Sequence, residues 1–180
     1  MSIIGGDDVV NALEKYLRTA IPEAQKLLGY EELGDIQDWQ VLPDREAIAA
    51  ANYPAISIAA PTAVAGDKSR SGYAAMWDVS IAVIDRDNDH QPTQNRVQRW
   101  AKVIRVAILR HTSIPGTRIQ MTWTGEDTNL FSGMEDARTL GGAEVMFDAF
   151  VEHAMDLDEI RNPGGMPLVE STHHTLTNLT

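Results

Sequence analysis

Three carboxylates at alternate positions are the first residues in this chain that invite chemistry. Asp85, Asp87 and Asp89 form a D-x-D-x-D run, and alternate carboxylates on a turn can converge on a hard cation such as Ca2+. A calcium loop of the EF-hand kind wants glycine at its sixth place and a bidentate glutamate at its twelfth. Counted from Asp85, those places hold His90 and Arg96. A guanidinium where the strongest acid belongs favours a solvated strand-to-helix turn whose acids stabilise the start of the next helix. A Ca2+-binding or metal-dependent module is the alternative reading.

Other signals for chemistry are weaker. Gly66-Asp67-Lys68-Ser69 resembles part of a phosphate loop, but Asp67 separates Gly66 from Lys68 and the earlier glycine of the motif is missing, so the backbone cradle for phosphate is not encoded. The histidines, His90, His111, His153, His173 and His174, fall into no metal-ligand spacing. There is no G-x-S-x-G nucleophile elbow and no cysteine, which excludes disulfides, thiolate metal sites and cysteine nucleophiles. The chain is expected not to be an enzyme, and to carry no cofactor and no metal.

Charge is distributed unevenly. Between Thr93 and His111 the only formal charges are Arg96, Arg99, Lys102, Arg105 and Arg110, in a chain whose net charge is −11. At about 100° per residue, Val97, Trp100, Ala101, Ile104, Ala107 and Ile108 share one face of a helix. The basic residues lie on the other side, interleaved with Val103, Val106 and Leu109. A helix that only covered a core needs no such interleaving, so its outer face is predicted to be a subunit contact. The acidic counterparts are Glu126 with Asp127, Glu135 with Asp136, and the strand row Glu144, Asp148 and Glu152. Met146 and Phe150 in that same row point to a contact rather than plain solvation.

The elements that must position these residues follow from periodicity. Asp7 or Asp8 is predicted to cap a first helix that continues to Gly29, with Pro22 kinking or restarting it. Gln37–Leu42 and Pro54–Ala60 read as strands, Asp44–Ala51 as a helical turn, and Pro61–Gly72 as a loop. Tyr73–Asp85 is the strongest strand, because Trp77, Val79, Ile81 and Val83 alternate with Asp78, Ser80 and Ala82. Thr93 is the predicted cap of the basic helix. Thr117–Thr124 reads as a strand, 125–138 as a long acidic loop, and Gly142–His153 as the last strand, with Ala143, Val145, Phe147, Ala149 and Val151 on its inner face. The order α-β-β-β-α-β-β predicts an α+β fold: a mainly antiparallel sheet of about five strands packed by two main helices. Residues 1–155 form that domain. Residues 156–180, rich in Gly, Pro and Thr, form an extended tail held in order by neighbouring chains.

Composition narrows the function. Apolar residues make up 43% of the 180 residues, enough for a core. The acidic balance argues against a protein held to nucleic acid by phosphate contacts. No apolar run is long enough for a transmembrane helix and no signal peptide is visible, so a protein made in the cytoplasm, without membrane contact, is expected.

Four stretches carry a resemblance to a known family: the first helix ending in IPEAQKLLG, the YPAISI strand from Tyr53, the WDVSIAV strand running through RDNDH into TQNRVQRW, and RTLGGAEVMFDAFVE at Arg138–Glu152. Over residues 7–155 the chain resembles the tail terminator, or tail completion, proteins of long-tailed bacteriophages. The resemblance implies a virion structural protein of the neck, made in the bacterial host cytoplasm. Its homo-oligomeric ring, usually of six copies, caps the head-proximal end of the tail tube, stops tube elongation and joins the tail to the head–tail connector or head-closure protein. DNA passes through the lumen as cargo. Another head–tail adaptor or head-closure neck protein is the alternative within the same class.

Overall fold

The computed structural model describes residues 4–42, 52–69, 72–135 and 138–157. Helix α1 (Gly6–Leu28) is followed by a short 3-10 turn (Glu31–Leu33), then strands β1 (Asp38–Leu42), β2 (Ala55–Lys68) and β3 (Gly72–Asp87), helix α2 (His90–Leu109), and strands β4 (Ile119–Glu135) and β5 (Arg138–Asp156). The strands form one sheet in the order β1-β2-β3-β5-β4. β1 runs parallel to β2, and every other neighbouring pair is antiparallel. The fold is α+β, with a mixed and mostly antiparallel sheet, in the element order expected.

Both helices pack on one face of the sheet, α1 over β2 and against α2, and α2 over β3, β5 and β4. The core lies between them. Val9, Leu13 and Leu17 of α1 meet Ile56, Ile58, Val79, Ile81, Val145 and Phe147 from the sheet and Trp100, Ile104 and Ile108 from α2, all fully buried. The inner face predicted for β5 is the one that is buried, from Ala143 to Val151.

Several boundaries differ from the sequence reading, each for a local reason. α1 is capped by Gly5, and Asp8 sits one turn in, where its carboxylate accepts from the Gly5 N–H at 2.8 Å. Pro22 neither stops nor restarts it: one helix runs to Leu28 and ends on Gly29, whose φ of 67° is the left-handed cap conformation glycine adopts at no steric cost. α2 starts at His90, with Asp89 at the N-cap position, so Thr93 is not the cap. Its hydroxyl instead donates inside the first turn to the Asp89 carbonyl at 2.7 Å and to the Thr139 carbonyl at 3.1 Å.

The largest corrections concern the two predicted loops. Most of Pro61–Gly72 is strand: β2 runs to Lys68 and β3 begins at Gly72. The stretch 125–138 is likewise the hairpin of β4 and β5. Both lengthen the sheet into arms that extend in opposite directions along the strands, and residues 61–68 of the first arm are exposed throughout. The predicted turn at Asp44–Ala51 and the tail beyond residue 157 lie outside the described residues.

Candidate functional site

The D-x-D-x-D run does not converge. Asp85 continues the inward parity of Trp77, Val79, Ile81 and Val83 and is buried. Its Oδ2 accepts from Arg96 Nε and Trp100 Nε1, both at 2.9 Å, and its Oδ1 from the Arg86 N–H at 2.8 Å. Burial pushes the Asp85 carboxyl above its ordinary value, and the Arg96 guanidinium and these hydrogen bonds draw it back without cancelling the rise. Asp87 accepts from the Asn88 N–H, and Asp89 occupies the N-cap position of α2 without a capping bond from its side chain. Among the described residues, no three His, Cys, Asp or Glu side chains come together as metal ligands. Arg96 also donates to the Leu33 carbonyl at 3.3 Å, so the network ties the 3-10 turn, β3 and α2 together.

The remaining cations of α2 find partners within the chain. Arg99 pairs with Glu32 at 2.7 Å, Arg105 with Glu126 at 2.7 Å, and Arg110 with Glu23 at 3.2 Å. Lys102 lies 3.5 Å from the Tyr30 hydroxyl. Arg99 and Lys102 also lie over the Tyr30 ring, and Arg105 lies over the Trp123 ring, 5.0 Å from its centre. Val103 is a correction to the predicted contact: it is fully buried in the chain's own core, because the α2 face that meets the sheet and α1 is wide enough to include it. Arg96 is largely turned inward to Asp85, Val106 is half-buried against the core, and Leu109 is exposed.

The predicted acidic residues separate across the sheet. Glu126 is on the helix side, bonded to Arg105, whereas Asp127 pairs in register with Glu144 on the opposite face, and its carboxylate accepts from the Asn129 N–H at 2.8 Å. Ser80 Oγ donates to Glu144. Asp148 stands directly between Asp78 of β3 and Thr122 of β4, and Glu152 is exposed two residues beyond Phe150. The Glu135 side chain and Asp136 lie outside the described residues.

The face opposite the helices has two regions. Its middle rows are small and buried, with Ser57, Ala59, Ser80 and Ala82. Toward the β2–β3 turn it opens. There Val64, Met76 and Phe150 lie in one row across three strands and are 56%, 38% and 37% exposed. On the helix side, Leu109 and Trp123 are 43% and 41% exposed. Of these five, the sequence reading included Leu109 as a contact residue and noted Phe150. Met76 shares the outward parity of Asp78 and Ser80, a signal that could have found it. Val64 falls in the stretch the sequence predicts as a loop, and Trp123 reads as an ordinary strand residue.

Among the described residues the surface also has clefts, two of them sizeable. One of about 610 Å3 lies between the middle of α1, the C-terminal end of α2 and the segment after it, and is lined by Lys15, Tyr16, Glu23, Arg110 and His111. The Tyr16 hydroxyl donates to the Ala107 carbonyl at 2.7 Å, and burial raises its pKa above 10.0. The other, about 450 Å3 and apolar, lies among Ile4, Ala63, Tyr73, Trp77 and Met155.

The class these features define is a two-layer α+β domain with helices on one side of its sheet and exposed apolar groups on both. No protein-family model matches the chain, and no curated protein matches it. Among solved structures it is similar to a chain from the "Virion of native gene transfer agent (GTA) particle", with 15% identity and a TM-score of 0.38 over 76% of this chain and 94% of that one.

Proposed function

We propose that this chain is a virion structural protein of a phage neck: a tail terminator whose copies close into a ring on the head-proximal end of the tail tube. The ring, of six copies as the family resemblance implies, stops tube elongation and presents a surface to the head connector. The observation that supports a subunit contact is the exposed apolar side chains on opposite sides of one sheet, the Val64–Met76–Phe150 row on one and Leu109 and Trp123 on the helix side. A ring requires two different patches on each subunit, and patches on opposite sides of a two-layer domain meet that need.

The reading assigns no catalytic step. The Asp85 carboxylate and the Arg96 guanidinium are engaged in holding β3, α2 and the 3-10 turn together. A net charge of −11 suits a protein whose lumen lets DNA slide past, because a chain of phosphates is repelled rather than held. Its partners are further copies of itself, the tail tube protein, and the connector or head-closure protein. It is made in the host cytoplasm and resides in the virion.

Light scattering and native mass measurement of the purified protein, alone and with tail tubes, test the ring. A multimer of defined copy number under either condition supports it, and a strict monomer under both refutes it. Electron microscopy of labelled particles tests position: density at the tube end supports the terminator, and density confined to the connector assigns a head-closure role instead.

A further inference from the structure

We propose that the centre of the subunit contact is apolar and head-to-tail: Leu109 and Trp123 of one copy seat on the Val64–Met76–Phe150 row of the next. The inference rests on the ring reading and specifies which faces of the domain build it.

Four observations lead to this pairing. First, the two patches differ and lie on opposite sides of the sheet. Arg105 stacks on Trp123 from the helix side, while Met76 and Phe150 pair across β3 and β5 on the other. A copy can therefore offer one patch while accepting the other, which a two-fold contact does not do. Second, the patches sit at a similar level along the strands. Phe147 pairs with Trp123 and Phe150 with Gln120, so three residues of β5, about 10 Å, separate the two rows.

Third, the flanking charges have opposite signs. Lys102 and Arg105 lie one to two turns before Leu109 on the same stripe of α2. Asp148 and Glu152 bracket Phe150 on β5. Stacking two copies of the sheet row on each other would instead bring acid against acid, so charge selects the second copy's helix side as the occupant. Fourth, the ion pairs already made by the helix do not block re-pairing. Arg105 and Glu126 are 26% and 27% exposed, and such partly solvated pairs contribute only about 1 kcal/mol or less. The exposed apolar groups supply the affinity, and the charges set register and encounter rate.

The chain has no native cysteine, so introduced thiols report the contact without background. The single variants Met76→Cys and Leu109→Cys are mixed and treated with a short bismaleimide, under the condition where the multimer forms. The expected result is a covalent dimer from the mixture and from neither variant alone, and a ladder ending at the ring copy number from the double variant. Cross-linking of Met76→Cys with itself overturns the head-to-tail arrangement. A multimer that gives no cross-link in the mixture overturns the assignment of faces and leaves the ring reading standing. A strict monomer removes both. Phe150→Asp provides a second measure: with unchanged circular dichroism it is expected to weaken assembly by at least tenfold in concentration, and unaltered assembly counts against the inference.

Discussion

Replacing Asp85 by alanine should destabilise the fold far more than replacing it by asparagine. The carboxylate accepts three hydrogen bonds and is 3% exposed, beside an Arg96 side chain that is 25% exposed. Asp85→Ala leaves the fully buried Trp100 N–H without a partner, which costs about 1–3 kcal/mol. It also leaves the inward guanidinium without its anion. A fully buried orphan charge costs about 3–5 kcal/mol, and the solvent around Arg96 reduces that to about 2 kcal/mol. The sum, about 3–5 kcal/mol, corresponds to a fall in Tm on the order of 10 °C for a chain of this size. Asparagine keeps one acceptor oxygen and removes the desolvation cost of the charge, so a loss of about 1–2 kcal/mol is expected. Because the folded-state pKa of Asp85 lies above its ordinary 3.8, the folded form binds the proton more tightly. The stability this group contributes is fully present below about pH 3.8 and declines as pH rises from there through the raised folded value. The gap between wild type and Asp85→Asn should therefore narrow with rising pH over that window. Urea unfolding followed by circular dichroism from pH 3.5 to 7 reads all three quantities. An Asp85→Ala protein within 1 kcal/mol of wild type would refute the reasoning and reopen the carboxylate as a cation ligand.

Other perturbations probe the remaining parts of the argument. A Cβ at Gly141 would stand 2.9 Å from Thr93 Cγ2, so Gly141→Ala should push the start of α2 off β5 and cost about 1–3 kcal/mol in chemical denaturation. Tyr16→Phe removes the hydroxyl that joins α1 to the Ala107 carbonyl, for a loss of about 0.5–1.5 kcal/mol. Since burial raises the Tyr16 pKa, its contribution should persist below pH 10.0 and decline above it, which a thermal-melt series in alkaline buffers reads directly. Arg99→Ala breaks an ion pair whose partners are about half exposed, so its effect on Tm should be close to nil at physiological salt.

The residues themselves explain which parts of this structure were legible beforehand. α1, α2 and β5 bury one face each, and β3 alternates the large apolar residues Trp77, Val79, Ile81 and Val83 with the small or polar Asp78, Ser80 and Ala82, so the period of each element shows in the sequence and locates it. The hairpin arms were not legible for the opposite reason. From Pro61 to Lys68 every residue is exposed, so no burial pattern marks the strand, and Pro61 and Gly66 look like turn formers although each sits at a break in the β2–β3 register rather than at a turn. The parallel pairing of β1 with β2 depends on a tertiary arrangement with no local trace. The charge of Asp85 suggests a solvated turn, whereas its parity places it inside. Its odd-numbered place after Trp77, Val79, Ile81 and Val83 put it inside, and Arg96 and Trp100, one helical turn apart, were the partners waiting there.

The same distinction decides what the basic helix is for. Read as a sequence, five cations on one helix in an acidic chain look like a surface prepared for another molecule. In the fold, four of them form ion pairs with acids of the same chain, and those acids come from α1, the 3-10 turn, β3 and β4. Much of the charge segregation along the sequence is thus dissolved by folding, and opposite charges that were remote in the chain become neighbours. Folding leaves a few large apolar side chains uncovered. Core-forming residues are placed by the fold at energetic cost to leave out, yet Met76, Phe150, Leu109 and Trp123 remain more than a third exposed on a domain with an otherwise well-filled core. Charges satisfied at home can still guide a partner at long range, but the short-range affinity of a subunit contact has to come from surface that gains by leaving water. In the proposed ring that surface is Val64, Met76 and Phe150 on one side and Leu109 and Trp123 on the other, with the basic helix beside the latter.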